Sequence, residues 1–270
     1  MALSKSMLAL VLGVQLTLLT ALSGPARAWG DSDWGYSYDY LQDSIQTDMI
    51  WRSMKIYQDS IGFGKTSEKT PTPGKSAKPK AATAKPKPLA KPAFDPNAFR
   101  YKYSPQVSQE VKAQMIDRIV AQATSENRAD LRKELQQIDM VGTVRTVLKQ
   151  QGYEPDSVAS ATTYFILSNY GIAHGTESTD AQNRAVLKQF EQAFGSMSSM
   201  RGASDAQKQK SAELLYWFAT LQHIQWKSVS GNAQARATAA AQAKEAVKSL
   251  GVDFDKLAIT NQGLRAKTTP

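Results

Sequence analysis

From Ser104 onward, apolar residues recur every three or four positions, and no run of alternating β-branched residues interrupts them. A chain with that period buries one stripe per helix, so the expected fold class is all-α. Val107, Val111, Met115, Ile119 and Val120 form the first stripe, with Pro105 suited to the first turn, where a missing N–H costs nothing. Leu131, Leu135, Ile138, Val141, Val144 and Leu148 form a second, read as one helix closed by Gly152. Glu154, Pro155, Asp156 and Ser157 restart the chain into a third, more apolar helix with Val158, Thr162, Phe165, Ile166 and Tyr170, ending near His174 and Gly175. Two later starts, Thr179 with Gln182 and Ser204 with Gln207, share a capping signature: the hydroxyl accepts from the N3 amide while Gln reaches back to the N-cap. They open helices carrying Val186, Leu187, Phe190 and Phe194, then Leu214, Leu215, Phe218, Leu221 and Trp226. An alanine-rich helix over about 233–250 follows, and Gly251 suits a left-handed stop. Phe254 and Leu257 read as a brief final turn or short helix packed back on a single multi-helix bundle spanning 98–265, with 266–270 a disordered tail.

The start of the chain sets its expected address. Lys5 precedes an uncharged apolar stretch, residues 7–22, which ends at Gly24 and Pro25 ahead of the small-residue pair Ala26 and Ala28. This is the pattern of a signal peptide over 1–28 with cleavage after Ala28, and the stretch is shorter than the roughly 18 residues that span a bilayer. No later segment has such a run, so no transmembrane segment is expected in the mature chain. The chain has no cysteine, which removes disulfides, thiol nucleophiles, thiolate metal sites and attached haem, and no cofactor is expected. A disulfide-free exported protein points to a bacterial source and a periplasmic or secreted location.

Charge is unevenly spread. Residues from 92 onward carry 21 basic against 17 acidic side chains, so the densest positive charge lies outside the bundle. Residues 29–64 carry six aspartates against Arg52 and Lys55, whereas 65–91 carry eight lysines against Glu68. That Lys/Pro/Ala-rich stretch has too little apolar bulk to offset chain entropy and reads as a disordered linker over 65–97. It is either a solvated spacer or a polycation resting on an anionic surface. Upstream, Trp29, Trp34, Tyr36, Tyr38, Tyr40, Trp51 and Tyr57 make 29–64 an aromatic segment, with a possible short helix from Tyr40 to about Ser60. Its rings either stack on a ligand or partner, or fold back over the bundle.

Several short motifs resemble an uncharacterised family of secreted bacterial proteins, a domain of unknown function, over roughly residues 100–265. They are the run from Gly152 through Tyr153, Pro155 and Ser157 to Ala159, the aromatic stretch Tyr164, Phe165 and Tyr170 leading to His174 and Gly175, and the ending Gly251, Val252, Asp253, Phe254, Asp255, Lys256 and Leu257 with Thr260 and Gly263. The resemblance implies export and an independent helical fold, and carries no catalytic residue with it.

Candidate chemistry is sparse. His174 and His223, the two histidines, could share a metal with Glu177 or Glu213, but their spacing matches no metal motif, and hydrogen-bonded or surface imidazoles are the plainer reading. Glu213, followed by Leu214, Leu215, Tyr216 and Trp217, is the candidate general acid of a hydrolase acting on cell-wall glycan, since an apolar pocket would keep its proton on. Tyr216 and Trp217 with Trp226 could line a ligand groove, or be core and rim at helical spacing. Neither GxSxG, SxxK nor GxGxxG occurs, and Gly64, Lys65 and Thr66 lack the first glycine and preceding strand of a phosphate loop. Mixed charge in the bundle leaves no nucleic-acid footprint. The expected function is a non-enzymatic interaction module that binds an envelope protein or polymer, with the glycan hydrolase as its rival.

Overall fold

The computed structural model describes residues 93–122, 125 and 128–267. The leader, the aromatic segment and most of the Lys/Pro stretch, for which expectations are given above, lie outside the described residues. Eight helices are present among them: α1 (Pro105–Gln122), α2 (Arg128–Gln137), α3 (Met140–Gln150), α4 (Val158–His174), α5 (Asp180–Gly195), α6 (Ser198–Gly202), α7 (Asp205–Ser228) and α8 (Ala233–Ser249). A two-stranded antiparallel sheet, β1 (Leu257–Thr260) and β2 (Gly263–Ala266), closes the order, so the fold is all-α with one small hairpin.

Helix α4 is the axis of the core. It carries no Asp, Glu, Lys or Arg, and Val158, Ala159, Ala161, Phe165 and Ile166 have no exposed surface. Helices α7, α8 and α5 pack around it, with α1 and α3 against α7. Phe190 and Phe194 from α5 and Tyr216 and Trp217 from α7 are among the largest wholly buried side chains, whereas α8 packs through small residues such as Ala243, Ala246 and Val247. Because α4 meets helices on several sides, its apolar residues run around it rather than along one stripe.

Local signals hold where the sequence places them. Ser157 caps α4 by accepting from Ser160 N at 3.3 Å, and Gly175 ends it at φ +68. Both capping boxes form: Thr179 accepts from Gln182 N while Gln182 accepts from Thr179 N, and Ser204 and Gln207 do the same for α7. Gly152 and Gly251 adopt φ +75 and +81. Replacing Thr179 with Ala is expected to destabilise the domain by about 1 kcal/mol, seen as a lower urea midpoint with an unchanged slope. Gln182→Ala should cost more, because its amide also donates to Ile259 O at 3.3 Å and ties α5 to β1.

The structure differs from the sequence reading in two places. The stripe from Leu131 to Leu148 is two helices, not one. Asp139 leaves helical geometry (φ −97, ψ 74) and caps α3 by accepting from Gly142 N at 2.9 Å, so a side chain that competes for backbone amides breaks the run without disturbing its apolar spacing. At the C-terminus, Phe254 and Leu257 are buried as expected, but the chain then forms the hairpin. Thr260 pairs with Gly263 across a two-residue turn, where Gly263 at φ +89 does what a residue with Cβ does poorly. Ala266 is therefore part of β2, and Lys267 N donates to Lys256 O at 2.8 Å.

Candidate functional site

The polar interior gathers where an N-terminal arm, residues 98–104, crosses the start of α4 and α7. Arg100 bridges Ser157, Val158 N donates to Phe99 O at 2.9 Å, and Tyr101 N donates to Asp156 O at 3.1 Å. The arm is thus held like a short strand against the turn that launches α4. Upstream, Asp95 N donates to Gly195 O at 2.9 Å and Arg201 donates to Ala93 O at 2.7 Å, so contact with the bundle begins within the stretch read from sequence as linker.

Below the arm, one face of α7 is polar. Gln209, Glu213 and Tyr216 recur at steps of four and three and are all fully buried. Gln209 is the hub: its Oε1 accepts from Ser104 N, and its Nε2 donates to Ser104 O and to Glu213 Oε1, each at 2.8 Å. Tyr216 and Tyr101 both donate to Pro155 O, at 2.8 and 3.3 Å. Arg145 from α3 sits 2.9 Å from Asp156 and stacks 3.6 Å over the Tyr103 ring. The arm, α3, α7 and the turn before α4 therefore meet at one polar set, fully buried at Gln209, Glu213 and Tyr216 and half-buried at Arg145 and Asp156.

Burial sets the protonation of this set. It pushes the Glu213 carboxyl up, opposed by the Gln209 hydrogen bond, by nearby Ser108 and by the Arg145 charge. The Ser108 hydroxyl makes no well-formed hydrogen bond to the acid, and Glu213 Oε2 and Arg145 Nη1 have no hydrogen-bond partner among the described residues. Burial, reinforced by the Asp156 and Glu213 charges, also pushes the Tyr101 phenol up, so it stays a hydrogen-bond donor. Asp156 is raised by burial and pulled back by Arg145.

Glu213 is 0 % exposed, so no face of it is open to a glycosidic oxygen. Tyr216 and Trp217 are likewise core, with Trp217 at 1 %, and do not line a groove. Trp226 lies apart from them, half-buried over Ile172, Ala239 and Ala243. The two histidines also have separate settings. His174 is exposed, stacked on Tyr170 and edge-on to Phe254. His223 is half-buried near Trp226, and burial with the adjacent Lys227 pushes its imidazole down to about 4. No group of three or more His, Asp or Glu side chains able to hold a metal occurs among the described residues.

The sequence reading singles out Glu213 but misses Gln209, Arg145, Asp156 and Tyr101. A signal existed in the polar spacing of Gln209 and Glu213 on an otherwise apolar helix. Arg145 and Tyr101 had none, because their meeting depends on how the arm crosses the bundle.

A family profile described as a family of unknown function matches residues 6–267. The chain belongs to this family, DUF6683. The DUF6683 match begins well upstream of residue 100, where the sequence resemblance was placed, and takes in the aromatic segment and the Lys/Pro stretch as well as the bundle. No curated protein and no solved structure matches the chain.

Proposed function

We propose that this DUF6683 chain is exported, loses residues 1–28, and serves in the bacterial cell envelope, periplasmic or secreted, as a non-enzymatic interaction module. In this reading the helical domain is a rigid platform, and residues 65–92 are a cationic tether presenting the aromatic segment 29–64 to an envelope protein or anionic polymer. The observation that supports it is the use of the buried polar set. Glu213, the best acid in the sequence, is sealed in the core, and its Oε1 accepts from Gln209, which grips the arm leading to the tether. A general acid must reach the oxygen it protonates, and Glu213 does not reach solvent.

Expression in a bacterial host should yield a product that begins at Trp29 outside the cytoplasm. Purified protein should bind isolated cell envelopes in a manner that weakens with salt and is lost when 65–92 is deleted. Release of reducing sugars from cell-wall glycan by the wild-type chain, abolished in Glu213→Gln, would overturn the reading in favour of the hydrolase.

A further inference from the structure

The corner where α7 ends and α8 begins is unusual for this chain. Between Glu213 and Glu245 there is no acidic residue, while Lys227, Arg236 and Lys244 supply positive charge. Lys244 is paired with Asp255 at 2.7 Å, but Lys227 and Arg236 have no ion-pair partner among the described residues. Both instead flank the half-buried Trp226 ring, with Arg236 4.7 Å and Lys227 5.2 Å from its centroid. Helix α4, which packs beside α8 and brings Ile172 and Ala173 against this cluster, contributes no Asp or Glu. The corner is therefore an aromatic surface between two uncompensated cations, which suits a partner of carboxylates interleaved with rings.

We propose that this corner is the docking surface for the chain's own acidic, aromatic segment 29–64. Six aspartates spaced among Trp29, Trp34, Tyr36, Tyr38, Tyr40, Trp51 and Tyr57 give that segment both complementary features. The family match runs through segment, tether and bundle as one unit. Distance permits the contact. The tether joins the bundle at Ala93, whose carbonyl accepts from Arg201 beside the end of α5, and a domain of this size is about 40 Å across, which bounds the distance to Trp226. A 28-residue Lys/Pro-rich tether reaches up to about 85 Å at about 3.1 Å per residue, so it is long enough to place the segment at the corner. Affinity permits it too. Tethering supplies an effective concentration of about 1 mM, so the segment stays on its own chain once its contacts total about 5 kcal/mol; the two charge contacts give up to about 1 kcal/mol each, and packing of several of the segment's rings at the corner supplies the rest. The same contacts would leave a separate partner at micromolar concentration mostly unbound. Tether lysines compete for the aspartates but offer no ring beside them.

The inference needs neither export nor an envelope partner: a partner that takes the segment must displace it from this corner, and failure of the inference would leave the envelope reading standing. The test is limited digestion of the full chain with an arginine-specific protease, which spares the tether lysines, following the initial rate of cleavage after Arg52 by mass spectrometry. Each rate is divided by that of an isolated 29–64 peptide carrying the same substitutions. The wild-type chain should be protected about fivefold, the value for a dissociation constant of about 0.2 mM against that effective concentration. Lys227→Glu with Arg236→Glu should abolish the protection, as should Asn at all six aspartates, and the two sets combined should do no more than either alone. Lys227→Gln with Arg236→Gln, a milder change at the surface, should remove part of it, and 0.5 M salt most of it. Equal cleavage rates in the wild-type and charge-reversed chains would overturn the proposal. So would protection that grows with protein concentration, which would mean that a second copy covers the corner.

Discussion

Gln209→Ala is expected to cost about 3 kcal/mol of stability, because it leaves the half-buried Ser104 N–H and the fully buried Glu213 carboxyl without their partner. The Ser104 N–H loses its acceptor, although the Ser104 C=O keeps Ser108 N, and Glu213 Oε1 loses its only donor among the described residues. In a domain of this size the melting temperature should fall by about 10 °C. The loss should depend on pH in a defined direction. Burial already raises the Glu213 carboxyl, and the Gln209 hydrogen bond opposes that rise, so removing Gln209 raises it further. An acid whose folded pKa lies above its unfolded value gains stability as pH falls through the folded pKa towards the unfolded one, since the native state then holds the extra proton. The penalty of Gln209→Ala should therefore be smaller at pH 5 than at pH 8 in urea unfolding. Gln209→Leu with Glu213→Leu should lose less than the two single changes summed, because the uncompensated buried acid goes with its partner. A pH-independent penalty would show that Glu213 is not the group left stranded.

That dependence shows why the fold was legible in the sequence and the polar set was not. Helices announce themselves through local rules. Apolar spacing, two hydroxyl–glutamine boxes and glycine stops act within a few residues, and all appear where those residues stand. The break at Asp139 escaped because the apolar spacing continues across it, and only the choice of that carboxylate to cap Gly142 N ends α2. The hairpin escaped because four residues per strand are too few to establish an alternation against a helical background. Arg145 and Asp156 lie 11 residues apart, but Ser104 and Gln209 lie 105 apart, a contact that no local period encodes. Glu213 looked like an exposed or catalytic acid from its neighbours, and became a structural one through an arm that arrives from outside the helix pattern.

Acidifying the protein from pH 7 to 4.5 should destabilise it through His223, against the contribution of Glu213. The imidazole is pushed down to about 4 by burial and by Lys227, from an ordinary value near 6.5. Between those values the unfolded chain takes up a proton that the folded one refuses, so stability falls as pH falls through 6.5 and levels off near 4. With partial solvent access discounted, the full loss is about 2–3 kcal/mol. His223→Gln keeps a polar side chain beside Trp226 and cannot titrate, so it should change little at pH 7.5 and flatten the decline at pH 4.5. Lys227→Gln should act in the same direction but less, since it removes only the smaller of the two causes. The measurement is a urea series for the three chains at each pH, read as the difference from wild type. A decline in His223→Gln as steep as in wild type would place the acid sensitivity elsewhere in the bundle. Carboxylates stabilised by ion pairs, such as Asp255 with Lys244, would not account for it, because the folded pKa lies below the ordinary value and the contribution disappears only in more acidic solution.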